Sequence, residues 1–115
     1  MTPTSQPPTR RGPLAGYRVL ELGSTVAGPF CGRLFADFGA EVIKVEHPKR
    51  GDDTRDWGLR NGKTETTYYN SMNRNKRSIT LDLQSPEALK IIHGLLPQVD
   101  VVIHNFKTGG AEKLG

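Results

Sequence analysis

The chain has 115 residues, enough for one small domain and too few for two independent cores. Hydrophobic residues make up 35% and charged residues 24%, which excludes general disorder. The net charge of +4 favours an anionic partner, but acids are interspersed among the bases and no continuous basic stripe forms, so nucleic acid is only one candidate beside nucleotides, acyl-CoA and phosphates.

Residues 1–13 are rich in Thr, Pro and Arg and read as a disordered leader, leaving 14–115 as the structured part. YRVLEL, Tyr17 to Leu22, is a short β-branched and apolar run between Gly16 and Gly23, which predicts a buried strand. GSTVAGP, Gly23 to Pro29, predicts a turn, with Pro29 at the first position of a following helix. Phe30, Leu34 and Phe38 then fall at spacings of four, one stripe of that helix, and Gly39 supplies its stop. EVIKVE, Glu41 to Glu46, predicts a second strand, parallel to the first in a right-handed βαβ unit.

From His47 to Lys76 the pattern weakens into a long polar excursion whose end, Thr66 to Asn75, could form a short helix. SITLDL, Ser78 to Leu83, alternates as a third strand. Ser85-Pro86-Glu87 supplies an N-cap, a proline and an acid for the next helix. Leu89, Ile92 and Leu96 line one face of it, widened by Ile91 and Leu95, and Pro97 closes it. Val101 to Ile103 is a fourth strand. These elements predict an α/β fold: an open, mostly parallel, Rossmann-like sheet of two βαβ units, incomplete in this chain because two crossover helices leave a face partly bare.

The chemistry available is modest. The glycines of Gly23–Gly28 either make a tight turn or let a phosphate approach the backbone at a helix N-terminus. Pro29-Phe30 replaces the Lys-Ser/Thr pair of a nucleoside-triphosphatase loop, which excludes that activity, and the G-x-G-x-x-G dinucleotide fingerprint is absent. Glu46 nevertheless ends the second strand where a ribose-binding acid would sit. His93 lies on the amphipathic helix. His104 follows a strand at its C-terminal end, where α/β sites gather, or is a partly buried structural histidine. Cys31, the single cysteine, reads as a buried inert thiol in a reducing cytoplasm. Asp52, Asp53 and Asp56, among Arg50, Arg55 and Arg60, read as a solvated mixed-charge loop. Asn73 to Arg77 could grip phosphates. No Cys/His cluster has zinc spacing, and no metal is expected.

Four strings in order carry a resemblance. GPLAGYRVLELGSTVAGPFCGRLFADFGAEVIKVEHP, GDDTRDWG, NRNKRSITLDL and DVVIHNFKTGGAEKLG together resemble the opening of the class III CoA-transferases, the formyl-CoA and carnitine CoA-transferase group. NRNKRSITLDL, with TTYYNSMN before it, is most similar to members acting on dicarboxylate CoA thioesters. The resemblance implies an N-terminal part of a CoA-binding α/β domain, completed by chain far downstream, in a cytoplasmic enzyme whose two subunits interlock as a homodimer. It implies transfer of CoA from an acyl-CoA, succinyl-CoA or another dicarboxyl-CoA, to a carboxylic acid through an aspartyl-CoA intermediate. The partners are then these substrates, with no nucleic acid and no membrane.

None of Asp37, Asp52, Asp53, Asp56, Asp82 or Asp100 matches the family's nucleophile, so no catalytic residue is assigned. For CoA the resemblance implies Val26 and Ala27 beside the acyl path and His47 near the adenosine. It implies Leu81 and Gln84 after the third strand, Asn105, Phe106 and Lys107 after the fourth, and Lys113 at a phosphate. His47 and Lys113 replace arginines found in formyl-CoA transferase, and Val26 replaces a glutamine, which argues against oxalate and formate. The alternatives are an acyl-CoA racemase of the same superfamily and a non-catalytic nucleotide-binding module using Glu46.

Overall fold

A computed structural model describes residues 11–115, so the leader expected at 1–13 lies almost wholly outside the described residues. Four strands form one sheet: β1 (Arg18–Glu21), β2 (Glu41–Glu46), β3 (Arg77–Thr80) and β4 (Val101–Ile103). Its order is β3-β2-β1-β4 and every pairing is parallel. Helix α1 (Ala27–Asp37) joins β1 to its neighbour β2, as expected. Helix α3 (Pro86–Leu95) instead joins β3 to β4, the two edges of the sheet. The second unit therefore spans the whole sheet, because β1 pairs through its remaining edge with β4. That order puts a topological switch point between β1 and β4, the place where open α/β sheets hold ligands.

Side chains alternate between the two faces. Val19 and Val42 pack on one face with Ala36 of α1. Leu20 and Val45 pack on the other with Ile92 of α3. On α3 the cap is as expected: the Ser85 hydroxyl accepts from the Ala88 amide at 3.1 Å. Ala88 and Ile92 are its buried positions, Leu95 and Leu96 pack against the same cluster, and Ile91 turns outward.

Helix α1 departs from the stripe read in the sequence. Phe30, Leu34 and Phe38 are 42%, 43% and 51% exposed, while Gly28, Pro29, Gly32 and Ala36 face the sheet. The reason is steric. A Cβ on Gly32 would stand 1.9 Å from Glu21 Oε1, so only a small-residue stripe lets the helix lie this close to β1. Pro29 is the third helical residue rather than the first, a position where its missing N–H is equally harmless. Gly39 ends the turn after α1 with φ +104°. Cys31, expected to be buried, is half-buried and free.

The excursion after β2 is ordered by hydrogen bonds rather than by apolar packing. It holds one turn of 3₁₀ helix (Asp53–Asp56) and the short α2 (Thr67–Met72), whose cap Thr66 accepts from the Tyr69 amide at 3.0 Å. The chain ends in α4 (Gly110–Leu114). No helix among the described residues is long and apolar enough to cross a membrane.

Candidate functional site

The C-terminal ends of the strands open into a cavity of about 490 Å³. Three loops build its walls. Leu22, Gly23 and Ser24 follow β1, His47 and Arg50 to Asp53 follow β2, and Leu81 to Gln84 follow β3. Phe106, Lys107, Gly110 and Leu114 close it from the segment after β4.

Five of the nine residues expected at a ligand line this cavity: His47, Leu81, Gln84, Phe106 and Lys107. Val26 and Ala27 stand outside its lining, exposed at the start of α1. Lys113 is exposed on α4, between the lining residues Gly110 and Leu114. Asn105 ties the switch point together: its Oδ1 accepts from the Ser24 amide at 3.0 Å and its Nδ2 donates to the Ser24 carbonyl at 2.9 Å. Two hydrogen bonds thus tie the loop after β1 to the loop after β4. Gly23 is needed there, since a Cβ on it would meet Asn105 Oδ1 at 2.2 Å.

His47 shapes the turn that follows it. Its Nδ1 accepts from the amides of Lys49 and Arg50 at 3.1 and 3.3 Å, and its carbonyl accepts from Gly51. That turn carries Arg50 into the cavity lining, where its guanidinium has no hydrogen bond or ion pair among the described residues. Arg50 was not singled out in the sequence, and its membership of a mixed-charge run hid it. His104 is exposed and outside the lining, and its Nδ1 accepts from the Phe106 amide at 3.2 Å.

Beneath the cavity lies a buried charge network that includes Asp52, a residue expected in a solvated mixed-charge loop. Asp52 is 2% exposed. Its carboxylate accepts from Lys44 Nζ at 2.8 Å, from the Thr54 amide and hydroxyl at 3.0 and 2.8 Å, and from the Thr25 amide at 3.2 Å. Lys44 also donates to Glu21 Oε2 at 3.0 Å. Glu21 Oε1 lies 2.5 Å from Lys76 Nζ, which donates onward to the Pro29 carbonyl at 2.8 Å and to Asn73 Oδ1 at 2.9 Å. Two acids and two lysines balance, which is the condition for burying such ions without a large penalty. Lys76, read as a phosphate grip, is therefore committed to the interior. Burial draws its ammonium down to about 8, against the opposing pull of Glu21.

Glu46 is committed as well. Its Oε1 accepts from Arg55 Nε at 2.7 Å and the Asp52 amide at 2.8 Å. Its Oε2 accepts from Arg55 Nη2, the Tyr69 hydroxyl and the Ser78 hydroxyl at 2.8, 2.8 and 3.0 Å. Burial alone would raise its carboxyl, but Arg55, the Asp52 amide and Tyr69 outweigh that and hold it at about 2. Burial likewise opposes, and Lys44 with Thr54 reverses, so that Asp52 is also lowered. With both oxygens filled, Glu46 has no free lone pair for a ribose, and the module reading that relied on it loses its acid. Asp56 and Arg60 do form a solvent-exposed pair, at 2.8 Å, as the sequence suggested for the whole loop.

The comparisons with known proteins agree with one another. The model of CoA-transferase family III matches residues 14–115. Succinyl-CoA–D-citramalate CoA-transferase of Chloroflexus aurantiacus is 52% identical over 112 residues, covering 97% of this chain and 27% of that protein. Succinate–glutarate CoA-transferase of Agrobacterium fabrum is 47% identical over 114 residues, covering 94% and 28%. A crystal structure of a CAIB/BAIF family protein from Brucella suis superposes with a TM-score of 0.83 at 44% identity, covering 91% of this chain and 29% of that one. The chain thus spans little more than a quarter of the length of the curated relatives it matches.

Proposed function

The chain belongs to CoA-transferase family III, and from that premise we propose that residues 14–115 are the N-terminal part of the CoA-binding domain of an enzyme that moves CoA from succinyl-CoA to a dicarboxylic acid. The observation that carries this reading is the cavity at the switch point. His47, Leu81, Gln84, Phe106 and Lys107 come from three separate loops and converge on one space of about 490 Å³. Arg50 and Lys107, cations without an ion pair among the described residues, suit the phosphates of CoA. The names of two relatives supply the substrate class: both carry a succinyl or succinate group, and each pairs it with another dicarboxylate, citramalate or glutarate.

In this reading the chain binds and orients CoA, and an aspartate outside these residues carries the chemistry. The aspartate carboxylate attacks the thioester carbonyl, expelling CoA thiolate and forming a mixed anhydride. The thiolate then attacks the aspartyl carbonyl, releasing succinate and leaving an aspartyl-CoA thioester, from which the acceptor takes CoA. Asp52, the most buried aspartate in the cavity wall, is held by Lys44 and Thr54 and is a poor nucleophile. The assembly is an interlocked homodimer in the cytoplasm.

Equilibrium binding tests the reading. Calorimetry with CoA and with NAD, each titrated into the purified protein, is expected to show binding of CoA and little of NAD. NAD preferred over CoA would overturn it.

A further inference from the structure

The buried ions form one continuous chain, and its two ends land on the same short segment. It starts at the Thr25 amide, which donates to Asp52, and runs through Lys44 and Glu21 to Lys76, which donates to the Pro29 carbonyl. Thr25 and Pro29 bracket Val26 and Ala27, at the start of α1. Thr25 has φ +73°, a left-handed conformation that a β-branched residue resists. Something must hold it there. On one side Asn105 grips Ser24 through both polar atoms of its carboxamide; on the other the only side-chain acceptor given to Thr25 among the described residues is Asp52.

We propose that the chain Asp52–Lys44–Glu21–Lys76 is a brace that sets the turn at 24–29, which begins at the cavity-lining Ser24, with Asp52 as its principal positioning residue. Asp52 suits the task because it belongs to both structures at once: it lines the cavity, and it is nailed to the interior by Lys44 and Thr54. Lys44 is 1% exposed and has no role on the surface. Its charge matters only to the two acids it joins, one on β1 and one in the loop after β2. Gly32 completes the device, since any side chain there would strike Glu21 and lift α1 off the brace. The consequence for ligand binding rests on the reading that the neighbouring cavity takes CoA. The brace itself does not.

Asp52→Asn keeps the shape of the side chain and removes its charge. Two quantities are measured: hydrogen exchange at the Thr25 amide and the dissociation constant for CoA. With the sheet amides still protected, exchange at Thr25 is expected to rise about tenfold or more, and CoA binding to weaken about tenfold. Adding Thr25→Gly should recover part of the CoA affinity, because glycine adopts φ near +73° without being held. A purely structural role for Asp52 gives no such rescue. Unchanged exchange and affinity in a folded Asp52→Asn protein, or no recovery with Thr25→Gly, would overturn the brace. If the unaltered protein does not bind CoA while Thr25 exchange still responds, the brace is supported and the proposed function falls. If Asp52→Asn does not fold, the unaltered protein decides. Its Thr25 amide should exchange far more slowly than that of Ala27, which starts α1 and has no intrahelical acceptor, and equal rates would overturn the proposal.

Discussion

Asn105 and Ser24, 81 residues apart, exchange two hydrogen bonds, one to the serine amide and one to its carbonyl. This pairing imitates a rung of the sheet just beyond the point where β1 and β4 separate, and it fixes the floor of the crevice. Asn105→Ala should remove both bonds and leave the backbone groups of an exposed loop to water. A stability loss of only about 1 kcal/mol is expected in urea unfolding. CoA affinity should fall more, by about tenfold, in calorimetry. Equal losses in both would mean that Asn105 serves the fold alone.

Gly32 and Gly94 offer opposite outcomes for the same substitution. Gly32→Ala drives a methyl group into Glu21 and Lys76 Cε and should cost about 3 kcal/mol, at the upper end for overpacking. Gly94 lies in α3, where an added methyl group would find nothing within 4 Å, so Gly94→Ala should stabilise by ~0.5–1 kcal/mol. Denaturant midpoints of the two variants check this directly.

Acid should weaken the fold through Glu46. Its folded value of about 2 lies below the ordinary 4.5, so its contribution is complete above pH 4.5 and is lost as the pH falls from there through 2. The difference corresponds to on the order of 3 kcal/mol. Urea midpoints measured between about pH 6 and pH 2.5 should fall steeply at the acid end. In Glu46→Gln, which cannot titrate, that fall should be shallower; an identical acid limb would show that other carboxylates, such as Asp52 and Glu41, carry it.

At the cavity mouth, Arg50→Ala and Lys107→Ala should each weaken CoA binding about fivefold, roughly 1 kcal/mol. Lys113→Ala should act similarly if its charge meets a phosphate. Lys49→Ala, next to Arg50 but outside the cavity lining, and Lys90→Ala, exposed on α3, should change little. Higher salt should shrink the first three effects. Uniform behaviour across all of these lysine and arginine variants would place the nucleotide elsewhere.

If the nucleophilic aspartate lies outside these residues, as proposed above, the 115-residue chain should show no CoA transfer from succinyl-CoA to glutarate or citramalate. Turnover that copurifies with this polypeptide would place the chemistry within it.

The strands and caps were legible because their signals are local. EVIKVE gives β2 at Glu41–Glu46, VVI gives β4, and Ser85-Pro86-Glu87 gives the start of α3 at Pro86. The face of α1 was not. Pattern reading weights Phe30, Leu34 and Phe38, whereas the helix packs through Gly28, Gly32 and Ala36, whose smallness is the requirement. The ion chain was hidden for a different reason. Glu21 and Lys44 sit in strands 23 residues apart, and neither strand's own pattern says that the two charges meet. The one available signal was that Glu21, Lys44 and the glycines of α1 share a face of the sheet. For the cavity, five residues named from the family resemblance line it, while Arg50 lay in a segment whose charges read as interchangeable.

The strand order also sets a schedule. β1 meets β2 across a short connection, Arg18 against Glu41, but it meets β4 only when Val101 arrives opposite Val19. Closing a loop of that length costs more chain entropy, and long-range pairings of this kind slow folding. On a growing chain, β1, α1 and β2 can assemble while the fourth strand is still unmade. The crevice therefore has no second wall until most of these residues exist, so a ligand held there reports that β4 has joined β1.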